Sequence, residues 1–190
     1  MTTTPSGWSH ADELVEVAQR TPGPLDVRIA EFVADRVPDR DNPAVELWPV
    51  DYVNDPRVIA RNDRFVSINA TLAVDLLGQC ASETLGGRYY SGSGGQADFA
   101  RGALFSRDGQ GFIVLHSTAG DGSISRIVFG LQPGTVVTTL NNTVDKVVTE
   151  WGVAELRGRS LAEHARALTA IAHPDHRDHL VHAARALGYA

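Results

Sequence analysis

The chain predicts an α/β fold. Short β-branched apolar runs bounded by turn residues fill its middle, and helical patterns lie before and after them. A glycine-rich stretch at residues 86–99 separates strand candidates and leads into a segment able to turn helical.

Taken in order, residues 1–7 are rich in Thr, Pro and Gly and predict disorder. Residues 12–20 predict a short helix, which the breakers Pro22, Gly23 and Pro24 end. Residues 26–37 predict a longer helix. Val27, Ile29, Ala30, Val33 and Val37 give it an apolar face, and Pro38 stops it. Pro38, Pro43 and Pro49, with many charges between them, mark a linker or junction. Residues 65–69 predict a strand. Residues 103–106 and 111–117 predict two more, joined as a hairpin because Asp108-Gly109 is a strong turn signal. Residues 126–131 and 135–140 flank a second turn at Gln132-Pro133-Gly134, and residues 146–149 predict a further buried strand. Two helices close the chain. Ser160 and Glu163 form a capping box, with Leu161, Ala165, Leu168 and Ile171 on one face and His173-Pro174 as the stop. Asp175 is the expected cap of the last helix, whose buried stripe is Leu180, Ala184 and Leu187 and whose end is Gly188.

The glycine-rich stretch carries the chemistry. Gly92, Gly94 and Gly95 fall within four positions, just before the helical segment. Glycine allows positive φ and close backbone approach. Successive N–H groups in such a loop converge into an anion-binding nest, and a following helix adds its positive dipole end. The loop therefore suits a phosphate, a carboxylate or a developing oxyanion. On composition alone the simpler reading is a tight turn between strand and helix. The spacing is neither the dinucleotide-binding G-x-G-x-x-G nor a Walker loop, since no Lys-Ser or Lys-Thr follows.

Many short motifs accompany the loop. They include Tyr52-Val53-Asn54-Asp55-Pro56, Val66-Ser67-Ile68-Asn69-Ala70 and Val74-Asp75-Leu76-Leu77-Gly78-Gln79 upstream. Downstream come Ser125-Arg126-Ile127-Val128, Thr149-Glu150-Trp151-Gly152-Val153-Ala154-Glu155-Leu156-Arg157-Gly158 and Ile171-Ala172-His173-Pro174. With Gly92-Ser93-Gly94-Gly95-Gln96-Ala97-Asp98-Phe99, this series resembles the acetyl-CoA hydrolase/transferase family, which includes acetate and 4-hydroxybutyrate CoA-transferases. The resemblance runs in order from Asn42 to Tyr189 and matches the later part of that family's C-terminal domain. It implies a partial CoA-transferase α/β domain at residues 42–190: a mixed β-sheet flanked by helices, with two helices at the C-terminus. It also implies that Gly92, Gly94, Gly95 and Gln96 lie at the coenzyme A site. The substrates it implies are an acyl-CoA and a small carboxylic acid, with no metal.

The same resemblance implies a nucleophilic glutamate. Its carboxylate attacks the acyl-CoA thioester and becomes a glutamyl-CoA thioester, which a second acid takes over. In the family that glutamate sits in a Gly-Ile-His-Thr-Glu-like block before the segment matching Asn42. No such block occurs in these 190 residues, so no catalytic residue is assigned. Residues 12–17 and 26–39 resemble earlier family segments more weakly, and Asp39-Arg40 runs directly into Asp41-Asn42-Pro43. Residues 1–41 therefore read as a remnant N-terminal segment with an internal deletion near Arg40; an unrelated leader is the alternative. Either an enzyme of acyl-CoA chemistry or an inactive CoA-binding module follows. The loss of sheet neighbours would favour self-association or pairing with an intact paralogue.

Composition excludes other classes. A net charge of −6, from 23 acidic and 17 basic residues, argues against nucleic acid as a main partner. One cysteine, Cys80, allows no internal disulfide and suits a reducing compartment. No apolar run is long enough to span a bilayer, and residues 1–9 lack the charge and hydropathy of a signal peptide, so the cytoplasm is expected.

Several other residues invite functional readings that the pattern does not favour. His173, His176, His179 and His182 recur every third position, but this spacing drifts around a helix and predicts a solvated face, not a zinc site. Glu150 and Glu155 fall in the Thr-Glu-Trp-Gly segment, where a structural turn with Arg157 pairing is expected. Asp98 suits a helix first turn. Tyr89 and Tyr90 are expected to pack. No spacing supports a triad of His116, Asp145 and Ser117, and no Gly-x-Ser-x-Gly elbow is present.

Overall fold

The computed structural model describes residues 48–189. The helices expected at 12–20 and 26–37, and the junction near Arg40, lie outside the described residues. Two short helices come first, α1 (Val50–Val53) and α2 (Pro56–Ile59). Asp55 caps α2 by accepting from the Arg57 N–H, and Pro56 at the first helical position needs no donor of its own.

The main sheet has four strands in the order β1 (Val66–Ala70), β6 (Gln110–Val114), β10 (Lys146–Thr149) and β11 (Gly152–Glu155). The first three run parallel, and β11 returns antiparallel, so the sheet is mixed. Helix α3 (Gln96–Phe105) makes the crossover from β1 to β6 and packs on both. Ile113, Val147 and Ala154 align across the strands and join Leu156, Ala165, Leu168, Ile171 and Leu180 in one apolar core. Helices α4 (Leu161–Ala170) and α5 (Pro174–Ala186) supply the last four of those residues or their immediate flanks.

Smaller sheets surround this unit. In one, β2 (Ala73–Asp75) pairs antiparallel with β3 (Cys80–Ala81) and parallel with β9 (Ile127–Val128). Hairpins join β4 (Thr84–Leu85) to β5 (Arg88–Tyr89), and β7 (Thr118–Ala119) to β8 (Ile124–Ser125). The β2–β3 turn folds over the buried Asp75 carboxylate, which accepts from the Leu77 and Gln79 N–H groups and from the Gln79 carboxamide. The His164 ring joins that turn to the β11 end, with Nδ1 2.9 Å from the Leu77 carbonyl and Nε2 2.8 Å from the Leu156 carbonyl.

Several expectations are corrected. Residues 103–105 are the last turn of α3, not a strand, and β6 pairs in parallel instead of closing a hairpin. Asp108, at φ +58°, makes a helix-to-strand turn from the same residues that signal a hairpin. Residues 135–140 form no strand; Thr139 alone bridges Cys80. The α5 cap is His173, which accepts from the Asp175 N–H, and Asp175 occupies the first turn. Leu161 and Leu187 stand exposed instead of lining the core.

Candidate CoA-binding loop

The β1–α3–β6 unit decides where the glycine loop lies. Since α3 runs back against the parallel strands, its N-terminus sits at their carboxyl ends, where open α/β sheets bind ligands. Gly92, Ser93 and Gly94 are exposed there, and Gly95 is half-buried. Gly94 takes φ +53°, which glycine adopts without strain. A Cβ on Gly95 would lie 2.8 Å from both the Asn54 carboxamide and the Phe99 ring, so any other residue must displace them. Gly95 is the N-cap of α3, and no side chain caps the helix. Its first-turn N–H groups therefore have no side-chain acceptor from the cap position.

Gln96 differs from its three glycine neighbours. Its side chain is buried, and its carboxamide donates to Thr139 Oγ1 at 3.0 Å. It thus ties the start of α3 to the strand-like bridge at Cys80. The entry to the loop is held as well: Ser91 N–H donates to the Glu83 carbonyl, and Ser91 Oγ donates to the Ser82 carbonyl. On the outer side, an open groove of about 690 Å³ runs between Asn54, Arg57 and the loop, bordered by Gly94, Asp98 and Arg101. Asp98 is the only acidic residue in the first turn of α3, as expected. Tyr89 and Tyr90 do not pack: they are 75% and 72% exposed.

The carboxyl ends of β6 and β10 meet nearby in the topology. Glu150 accepts from both the N–H and the hydroxyl of Ser117, and His116 Nδ1 lies 3.9 Å from Glu150 Oε2. Burial works to raise the Glu150 carboxyl. The Ser117 hydrogen bonds and the His116 charge outweigh it and hold the group below the ordinary carboxylate range. Ser117 itself is fully buried. Asp145 takes no part. It lies at the opposite end of β10, accepting from the Gly111 N–H and from Lys146 Nζ. Glu155 sits opposite Lys146 in the β10–β11 register, away from Glu150 at the turn, so the two glutamates do not form a pair. Arg157 donates to the Leu104 carbonyl. The histidines have individual roles: His173 stands edge-on to Trp151, His176 Nε2 lies 2.9 Å from the Gly122 carbonyl, and His179 meets Phe129. The Ser117–Glu150 contact was missed in the sequence, because 33 residues separate its partners.

Comparison with known proteins agrees with this geometry. Residues 29–184 match the family model described as the acetyl-CoA hydrolase/transferase C-terminal domain. A succinyl-CoA:cyclohexane-1-carboxylate CoA transferase of Geobacter metallireducens is 58% identical over 158 residues, 83% of this chain and 35% of that protein. A 4-hydroxybutyrate coenzyme A transferase of Clostridium kluyveri is 53% identical over 141 residues, 74% of this chain and 33% of its own length. The crystal structure of RipA from Yersinia pestis superposes with a TM-score of 0.74 at 47% identity, covering 79% of this chain and 34% of that one. The chain spans about a third of the length of the curated relatives it matches. On this match, the chain belongs to the acetyl-CoA hydrolase/transferase family through that family's C-terminal domain.

Proposed function

We infer that residues Gly92, Gly94 and Gly95 hold the acyl-thioester end of coenzyme A. The uncapped start of α3, preceded by a positive-φ glycine at the carboxyl edge of a parallel sheet, supports this reading. Attack on a thioester builds negative charge on its carbonyl oxygen, and fixed backbone N–H groups stabilise such charge without reorganising. Gln96 acts as an anchor: its bond to Thr139 sets where the helix begins. The reaction served is acyl-CoA:carboxylate CoA transfer or acyl-CoA hydrolysis, in a cytosolic setting that suits the buried thiol of Cys80. Relatives named as CoA transferases support the substrate class.

A second reading follows from the sequence. The 190 residues hold no Gly-Ile-His-Thr-Glu-like block, so by themselves they bind acyl-CoA without transferring it. An intact paralogue would then supply the carboxylate. Calorimetric titration with acetyl-CoA, followed by a transfer assay with acetate, tests both readings. Saturable binding without transfer supports binding by these residues alone. Transfer at enzymatic rates returns the full activity to them. Absence of binding to the folded chain refutes the CoA-site reading.

A further inference from the structure

The turn after β10 meets the junction between α4 and α5 at Trp151. Thr149 Oγ1 donates to the Ile171 carbonyl and accepts from the Trp151 N–H, which fixes the backbone there. Two side chains from the start of α5 pack on the indole. His173 stands edge-on to it, with ring centroids 5.4 Å apart, and the Arg177 guanidinium lies 5.7 Å from the indole centroid. Arg177 Nε also donates to the Ala172 carbonyl at 2.9 Å, so this guanidinium is held at one edge as well as against the ring. His173 Nδ1 accepts from the Asp175 N–H, and the neutral imidazole therefore carries its proton on Nε2. Donors are left over on all three side chains. Among the described residues the terminal amino groups of Arg177, the Nε2–H of His173 and the indole N–H of Trp151 have no acceptor. Solvent reaches them: Trp151 is 45% exposed, the His173 side chain 28%, and Arg177 is half-buried. The Asp175 carboxylate stands 3.7 Å from the Nδ1 edge of His173, not the Nε2 edge, and opposes an incoming anion.

We propose that the Trp151–His173–Arg177 cluster binds a small organic carboxylate with an apolar body. A surface arginine ordinarily gives up side-chain freedom when it takes a ligand, and Arg177 has given up part of it already through Ala172 and Trp151. Its planar fork matches a carboxylate in bidentate geometry. His173 adds a neutral donor. The exposed part of the Trp151 ring takes the apolar body and offers its own N–H at the edge. A cluster of donors around an indole suits an acceptor-only group on an apolar frame. Inorganic phosphate satisfies the donors but brings nothing to the ring. The cluster shares no residue with the glycine loop, so the proposal does not rest on the coenzyme A reading.

The test titrates the full 190-residue chain with benzoate and follows the Trp151 indole N–H and Arg177 Nε–H signals by NMR. Both should move saturably, with a Kd on the order of 1 mM. Benzyl alcohol, which keeps the ring and lacks the charge, should leave both in place. Inorganic phosphate should bind about tenfold more weakly, since it does not use the indole. Arg177→Ala should abolish the Trp151 response, and Arg177→Lys, which keeps the charge without the fork, should weaken it about tenfold. Asp175→Asn, which removes a like charge and leaves every proposed contact in place, should tighten benzoate about twofold. The Gly92 and Gly94 N–H signals should stay still, so this readout is separate from that of the coenzyme A loop. Unmoved Trp151 and Arg177 signals in the folded wild type would overturn the proposal and leave the loop untouched. Equal response to benzyl alcohol, phosphate bound as tightly as benzoate, or benzoate shifts confined to the glycine loop would overturn it as well.

Discussion

At Gly95 a single added methyl group would lie 2.8 Å from the Asn54 carboxamide and the Phe99 ring. At Gly92, by contrast, an added methyl group meets nothing within 4 Å. Gly95→Ala should therefore destabilise the fold by about 1–3 kcal/mol through overpacking, and Gly92→Ala by less than about 0.5 kcal/mol. Urea unfolding of both variants checks the contrast; equal losses would refute the close approach at Gly95. Glu150 and Asp75 contribute to the pH dependence of stability with opposite sign. The Glu150 carboxyl is held below its unfolded value. Its contribution is present above the ordinary glutamate value of about 4.3 and is lost as pH falls through the lower folded value. Asp75 runs the other way. Burial raises it against its hydrogen bonds, so its contribution is present at low pH and lost as pH rises through the raised value. Glu150→Gln should flatten the fall in stability between about pH 5 and 3, and Asp75→Asn should steepen it. Urea midpoints across that range decide; parallel curves for both variants would contradict the assignment. Glu150 is partly exposed, so solvent screening keeps its share small.

The elements show which structure a sequence displays locally. Ser160 and Glu163, three residues apart, signal the start of α4, and both reciprocal hydrogen bonds of the capping box are present. Ser160→Ala should cost about 1 kcal/mol. A melting temperature unchanged by that substitution would mean the box contributes nothing. Strands β1 and β10 were equally legible, because β-branched runs bounded by polar residues need only local pattern. The crossover was not. Asp108-Gly109 serves a hairpin and a helix-to-strand turn alike, and nothing within a few residues reveals that β6 pairs in parallel with both β1 and β10. The loop glycines were legible as a cradle, but the inward turn of Gln96 was not, since Thr139 is 43 residues away. The cap of α5 failed for a related reason: aspartate is the commoner cap, but Pro174 at the first helical position puts His173 in the capping place.

On the scale of the whole molecule, the described residues form a sheet whose margins are β1 and β11, in a chain spanning about a third of its relatives' length. Ile68, in β1, is 41% exposed. An unpaired strand edge is a template for pairing with another chain. Sedimentation of the 190-residue chain should show species above the monomer, and Ile68→Lys should shift them toward it. A strictly monomeric wild type would contradict this. Among the described residues no helix is long and apolar enough to cross a membrane. The central claim is that the backbone of residues 92–95 receives coenzyme A, and amide-resolved NMR titration tests it most directly. On addition of acetyl-CoA, the N–H signals of Gly92, Ser93, Gly94 and Gly95 should move in a saturable way, and Gly95→Val should abolish the effect. Unmoved signals at these four residues, or saturable shifts confined to other parts of the domain, would contradict it.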